Sequence, residues 1–289
     1  MKKCAFVLVF AMILSLLAGC GTGGNSAQVA ATTLPVYDFA SRLCEGTDIT
    51  VTRLVTEQVS CLHDYSLNVN QVRASESAQH IIISGAGLED FLGDILQEDK
   101  IIDASAGIQL LESHHHHDGE EASHEHDPHI WLSPVTAQAM ARNICEGLAG
   151  AYPQHRETLE ANLVLLLADL EELQTYGEQQ LKDLTCRELV TFHDGFAYFA
   201  DAFDLTILEA IEEEAGSEAS AQELTGLIEL VKEHKLPAVF TEKNGSASAA
   251  SVISTETGAK IFSLDMAMSG DSYFDSMYHN IDTLKEALG

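Results

Sequence analysis

The sequence predicts an α/β protein of two lobes, each a roughly four-stranded parallel sheet flanked by helices, joined by one long linking helix. Three observations carry this. Short β-rich runs alternate with amphipathic segments, the pattern of a parallel, helix-covered sheet. The alternation occurs twice, with about four strands each time. One uninterrupted helical stretch separates the two series. Composition agrees: of 289 residues, 46% are hydrophobic and 21% charged, so the chain is globular and long enough for two cores.

In the first series the β-rich runs are 29–33, 49–55, 80–84 and 100–103, with amphipathic segments at 36–44 and 88–96. In the second they are 188–192, 205–208, 238–241 and 260–264, separated by helical stretches at 195–202, 221–234 and 247–257. Between the series, Leu159, Leu163, Leu166, Leu170 and Leu173 recur at helical steps of four and three. Residues 156–183 contain no Pro and one Gly, Gly177. The apolar run covers only about two heptads, short of the sustained repeat of a coiled coil. A strut packed against both lobes is therefore expected. The resulting division is an N-terminal lobe over 29–153, a linking helix over 154–184 and a C-terminal lobe over 185–289.

The chain opens with Met1, Lys2 and Lys3, then runs apolar over residues 5–17 and reaches Leu17-Ala18-Gly19-Cys20. A basic start, a short apolar stretch and small residues at the cut make a secretory signal over residues 1–19. The run is short for a membrane-spanning helix. Leu17 to Cys20 resembles a bacterial lipobox, in which Cys20 becomes the first mature residue and carries lipid. Residues 20–28 read as a flexible tether. The expected location is extracytoplasmic, anchored to the cell membrane through that lipid alone.

The formal net charge is −30, and losing residues 1–19 removes two lysines and no acid, which leaves −32. Nucleic acid and anionic membrane surfaces need basic patches, so neither is an expected partner; small cations suit the chain. Of the remaining cysteines, Cys44, Cys61, Cys145 and Cys186 have an oxidising compartment available, and four cysteines allow three full pairings. Buried free thiols are equally compatible. No C-x-x-C occurs, which disfavours a thiolate zinc knuckle.

The segment 113–129 reads SHHHHDGEEASHEHDPH. Its first part, the His-rich loop 113–127, holds His114, His115, His116, His117, His124 and His126 with Asp118, Glu120, Glu121, Glu125 and Asp127. Such a segment builds no packed core and predicts a surface loop that collects borderline metals. An expression tag would read similarly, but this tract is internal and interrupted by acids.

Loops of this kind gather metal without fixing geometry. In open α/β sheets, ligands bind beyond the carboxyl ends of strands. Four residues meet that condition: His63 in SCLHDY, His129 in DPHIWLSP, His193 in LVTFHDGFAYF and Asp265 in IFSLDMAMSG. Each half supplies two, so facing lobes would gather all four in one interlobe metal site. His80, His155, His234 and His279 lack strand-end context and are read as structural.

In DPHIWLSP, HDGFAYFA, ISGAGLEDFL and FSLD the chain resembles the zinc/manganese-binding solute receptors of bacterial ABC importers, periplasmic solute-binding protein family 9. The similarity covers nearly the whole mature chain. It implies two α/β lobes on one long helix, with metal held between them. Manganese receptors of that family usually carry Glu where this chain has His193, and zinc receptors carry His and a His-rich loop. Three imidazoles and one carboxylate suit tetrahedral Zn²⁺, whereas Mn²⁺ prefers more oxygen. Around His63 the usual Gly and Pro residues are absent, and Asp64 and Glu57 are local substitutes.

The resemblance implies a monomeric receptor that captures Zn²⁺ and passes it to an ABC permease, and not an enzyme. Four protein ligands leave no open coordination position, whereas catalytic zinc keeps one. A manganese receptor and a zinc-binding adhesin or buffer are neighbouring readings. A secreted zinc hydrolase is the competing class: residues 124–129 superficially match H-x-H-x-D-H, but Pro128 stands where the Asp belongs, and no H-E-x-x-H occurs.

Overall fold

Eight strands and eight α-helices lie along the described residues of the computed structural model. These are 28–59, 62, 65–95, 97–112, 126–212, 220–243 and 245–289. The signal segment, nearly all of the tether, Cys20, Cys61, His63, Asp64 and the loop histidines other than His126 lie outside them.

The first lobe begins with β1 (Val29–Ala31), α1 (Leu34–Leu43), β2 (Val51–Arg53), α2 (Val69–Ser77), β3 (His80–Ile83) and β4 (Ile101–Asp103). The strands form one parallel sheet in the order β2-β1-β3-β4. β1 is central and buried along its whole length, which suits Val-Ala-Ala with helices or loops on both faces. Pro35 sits in the first turn of α1, where its missing N–H costs nothing. α2 starts at a capping box between Asn68 and Gln71. α3 (Pro134–Ala151) closes the lobe.

The expected amphipathic segment at 88–96 is not an α-helix. It forms 3₁₀ turns over Asp90–Ile95, broken where Gly93 adopts φ of 45°. Nearby, Glu89 turns inward. Its carboxylate accepts hydrogen bonds from the Thr32 hydroxyl at 2.6 Å and from the Ser84 and Gly85 amides at 2.7 and 2.9 Å. Burial pushes this carboxyl up to about 7 against those three donors. The ISGAGLEDFL motif thus ties the carboxyl ends of β1 and β3 together.

α4 (Arg156–Leu181) is the linking helix, 26 residues or about 39 Å long. Leu159, Leu166, Leu170, Leu173 and Leu181 are buried, in step with the leucine periodicity. α4 packs on α1 and α3 of the first lobe and on the C-terminal helix of the second. The Asn162 amide donates to the carbonyls of Leu43 and Glu45, Arg42 pairs with Asp169, and the Tyr176 hydroxyl donates to Asp282 at 2.6 Å. The helix is a strut in contact with both lobes. Its single glycine has a steric cause, since a Cβ at Gly177 would meet the Phe203 ring at 2.2 Å.

The second lobe comprises β5 (Glu188–His193), α5 (Ala197–Ala202), β6 (Thr206–Glu212), α6 (Ala221–His234), β7 (Ala238–Glu242), α7 (Ser248–Thr257), β8 (Lys260–Leu264) and α8 (Tyr273–Leu288). Its four strands hydrogen-bond in two parallel pairs, β5–β6 and β7–β8, with β5 lying beside β7. α6 starts at a Ser220–Glu223 capping box and ends at left-handed Lys235. The largest apolar cluster runs from Val29 to Leu288, so the two lobes share a core. A second cluster lies beneath α6 and α7. No helix of the described residues is long and apolar enough to cross a membrane.

Cys44, Cys145 and Cys186 carry free thiols. Burial, with Cys145 nearby, pushes the Cys44 thiol up to about 12.

Gly177→Ala provides a test of the strut. Helix propensity alone predicts a gain of up to about 1 kcal/mol. The contact with Phe203 predicts instead a net loss of about 1–3 kcal/mol by urea denaturation, relieved by adding Phe203→Leu. A stabilised single variant would show that α4 and Phe203 are not in close contact.

Candidate metal site at the lobe seam

The segment leading to His129 is built by local hydrogen bonding. Glu112 and His126 form an isolated antiparallel bridge, and the Asp127 amide donates to the Leu111 carbonyl at 3.0 Å, closing the base of the His-rich insert. His126 itself is exposed. The buried Asp127 carboxylate then accepts from the His129 amide at 2.8 Å, a turn typical of Asp. The same oxygen lies 2.7 Å from His129 Nδ1. His129 is 2% exposed, and its ring meets that of Trp131 edge-on at 5.3 Å. Ile130, Trp131 and Leu132 form one buried 3₁₀ turn, after which Pro134 opens α3.

Asp265 directly follows β8 and is also 2% exposed. Its amide donates to Asn280 Oδ1, and its carbonyl accepts from Asn280 Nδ2, both at 2.7 Å. One carboxylate oxygen accepts from the Ala267 amide at 2.9 Å. The other accepts from the Ser276 hydroxyl at 3.1 Å and the Lys243 ammonium at 2.9 Å.

Two buried hydrogen bonds stitch these segments together. The Trp131 indole N–H donates to the Met266 carbonyl, and the Tyr273 hydroxyl donates to the Trp131 carbonyl, each at 2.8 Å. The Tyr198 hydroxyl on α5 accepts from the Leu111 amide and donates to the Asp127 carbonyl at 3.1 Å. Burial pushes that phenol up to about 12, so it remains a donor.

The structure therefore brings the His129 and Asp265 segments to one seam. His193 is the last residue of β5, four residues before α5, and its position is described through its backbone. His63 lies outside the described residues, between buried Leu62 and Tyr65. Among the described residues, no three His, Cys, Asp or Glu side chains converge on a metal-sized point. Glu57 is engaged in a surface network that accepts from Tyr65 at 2.7 Å, Gln71 at 3.0 Å and Asn68 at 3.3 Å. The Tyr65 hydroxyl holds its carboxyl below the usual range. Of the histidines read as structural, His155 pairs with Asp48 at 2.6 Å, His234 with Glu188 at 2.9 Å, and His80 packs on Tyr152.

Sequence reasoning did not single out Trp131, Tyr198, Lys243 or Ser276 for the site, and it placed Asp127 only within the metal-collecting loop. The one signal was the Asp-Pro-His tripeptide, because an Asp two residues before a His can cap the amide and the ring together.

Two parallel α/β lobes on a helical strut, with polar side chains gathered where the lobes meet, define the solute-receptor architecture. The family model for ZnuA, the zinc-uptake complex component A, periplasmic, matches residues 29–287, and the chain belongs to this family. A crystal structure of ZnuA superposes with a TM-score of 0.80 at 31% identity, covering 90% of this chain and 98% of that one. The high-affinity zinc uptake system protein ZnuA of Bacillus subtilis is 27% identical, over 99% of this chain and 98% of its own length. The zinc-binding lipoprotein AdcA of Streptococcus pneumoniae strain R6 is 28% identical over 99% of this chain, which spans only 61% of AdcA.

The Asp127 contact fixes the tautomer of His129. An ionised carboxylate only accepts, so Nδ1 of the neutral ring carries the proton and Nε2 the lone pair. Long-range ¹H–¹⁵N correlation at neutral pH is expected to show a protonated Nδ1 for His129 and loss of that preference in Asp127→Ala. A protonated Nε2 in the parent protein would contradict the geometry.

Proposed function

We propose that the chain is the extracytoplasmic zinc-binding receptor of an ABC-type importer, which captures Zn²⁺ and delivers it to a membrane permease. The observation that carries this reading is the seam itself. His129 and Asp265 come from opposite lobes, are both buried, are held by hydrogen bonds with Asp127 and Ala267, and lie on segments joined by the Trp131–Met266 hydrogen bond. A buried imidazole whose far nitrogen is tied to a carboxylate is the usual arrangement of a zinc-ligating histidine. Family membership supports the same reading, as do relatives named for zinc uptake and zinc binding.

In this proposal His63 and His193 complete a set of three imidazoles and one carboxylate. That set satisfies four-coordinate zinc and leaves no position for a reacting water, so the protein binds without turnover. His193 in place of an oxygen donor favours zinc over manganese. His114, His115, His116, His117, His124 and His126 form an accessory collector, binding more weakly because each residue that must be ordered on binding costs about 1–2 kcal/mol. In this reading the N-terminal lobe spans 29–153, the linking segment, which carries the helix Arg156–Leu181, spans 154–184, and the C-terminal lobe spans 185–289. Residues 1–19 are a signal, and lipid on Cys20 keeps a monomeric receptor beside its permease.

Competition titration with a calibrated chelator tests the proposal. One tight zinc site is expected, and His193→Ala should weaken it by at least about tenfold, equivalent to roughly 1.4 kcal/mol. Deleting residues 113–126 should lower the zinc stoichiometry and keep the tight site. Unchanged affinity in His193→Ala would remove that residue from the set, and the absence of any tight site would overturn the receptor reading.

A further inference from the structure

Lys243 is one residue past β7, outside every motif that pointed to the site. Its backbone amide donates to the Leu264 carbonyl at 2.9 Å, which extends the β7–β8 pairing by one step and sets Lys243 beside Asp265. Its ammonium lies 2.9 Å from Asp265 Oδ2. The two partners are unequal in exposure: the lysine side chain is 54% exposed and the aspartate side chain 3%.

The donors on this carboxylate differ in how readily they can leave. Ala267 donates from the backbone, and Ser276 is buried on α8. The amide cannot withdraw without deforming the chain, and the hydroxyl can turn only within its buried pocket, toward the Ser272 carbonyl at 3.4 Å. Lys243 donates from the end of a flexible, half-exposed stem and can swing into water at little cost. A dication on Asp265 and an ammonium hydrogen-bonded to the same carboxylate would lie only a few ångströms apart and repel each other. They are competing partners for one anion.

We infer that Lys243 is a tethered competitor cation, whose ammonium trades places with the transported dication at Asp265 and so sets how tightly the metal is held and how fast it leaves. This rests on the zinc-receptor reading and adds a residue that tunes affinity without ligating. Capture moves Lys243 from the carboxylate to solvent, and release is assisted by its return. The exchange is of one cation for another.

The test is a double-mutant cycle on the full mature chain, with zinc alone as the probe, in competition titration and in stopped-flow release to excess chelator. Lys243→Met is expected to raise zinc affinity by about tenfold or more, the scale of one charge-assisted hydrogen bond, mainly by slowing release. Lys243→Gln should act in the same direction, and thermal melts of both variants without zinc report on folding. Lys260→Met, at the start of β8, controls for the loss of one positive charge elsewhere and should change affinity little. Asp265→Asn should weaken binding, and in that background Lys243→Met should have no further effect. Unchanged or weakened binding in folded Lys243→Met and Lys243→Gln, with Asp265→Asn still damaging, would overturn the role of Lys243. So would an equal gain in Lys260→Met, or a full Lys243→Met gain in the Asp265→Asn background. Unchanged affinity in Asp265→Asn alone would instead overturn the assignment of the site.

Discussion

The indole N–H of Trp131 donating to the Met266 carbonyl is the interaction on which the rest of the site depends. It joins the residue two places after His129 to the residue immediately after Asp265. Tyr273 completes the clasp by donating back to the Trp131 carbonyl. All of these groups are buried, so breaking either bond leaves polar atoms unsatisfied, at about 1–3 kcal/mol each. The clasp therefore sets the placement of an imidazole from one lobe relative to a carboxylate from the other. Further links across the seam are Arg53 to the Gly270 carbonyl and the Tyr273 amide to Asp38. α4 lies against both lobes and limits how far they can shift.

Chemistry at the seam follows from which groups are preorganised and which are free to move. Asp127 and Asn280 belong to the rigid part. The first sets the ring of His129, and the second grips the backbone of Asp265 on both sides. Tyr198 ties α5, and so the segment after His193, to the stretch carrying His129. Lys243, half-exposed on a long stem, is the member inferred to move. A receptor must bind tightly enough to capture a scarce ion and still release it, and a movable internal cation serves that second need without loosening the scaffold. The acidic surface, at a net charge of −30, favours the approach of cations to the whole molecule.

The fold was legible in the sequence wherever local and tertiary preferences agree. The segments read at 221–234 and 260–264 coincide with α6 and β8, because a capping box starts α6, a left-handed residue ends it, and β8 is paired along its whole length. The linking helix is shorter than the predicted span by two residues at its start and three at its end, and its leucine face is buried as the spacing implied. The segment at 88–96 departs from the expected helix although Leu88, Phe91, Leu92 and Ile95 fall at the helical spacing i, i+3, i+4, i+7. Gly93 and the inward turn of Glu89 break it, and neither is visible in periodicity alone. Within the site, the placement of Asp265 just past β8 was legible, because a strand end is a sequence-level property, whereas His129 follows no strand directly and precedes a 3₁₀ turn. Trp131, Tyr198 and Lys243 were not legible, because their roles arise from partners 135, 71 and 22 residues away.

X-ray absorption at the zinc K-edge on the protein loaded with one equivalent of Zn²⁺, in a chain lacking residues 113–126, tests the central claim most directly. A four-coordinate shell of nitrogen and oxygen at about 2.0–2.1 Å is predicted, with outer-shell scattering from three imidazoles, falling to two in His129→Ala. A sulfur scatterer at about 2.3 Å would contradict the account, as would a six-coordinate oxygen-rich shell or a spectrum unchanged by His129→Ala.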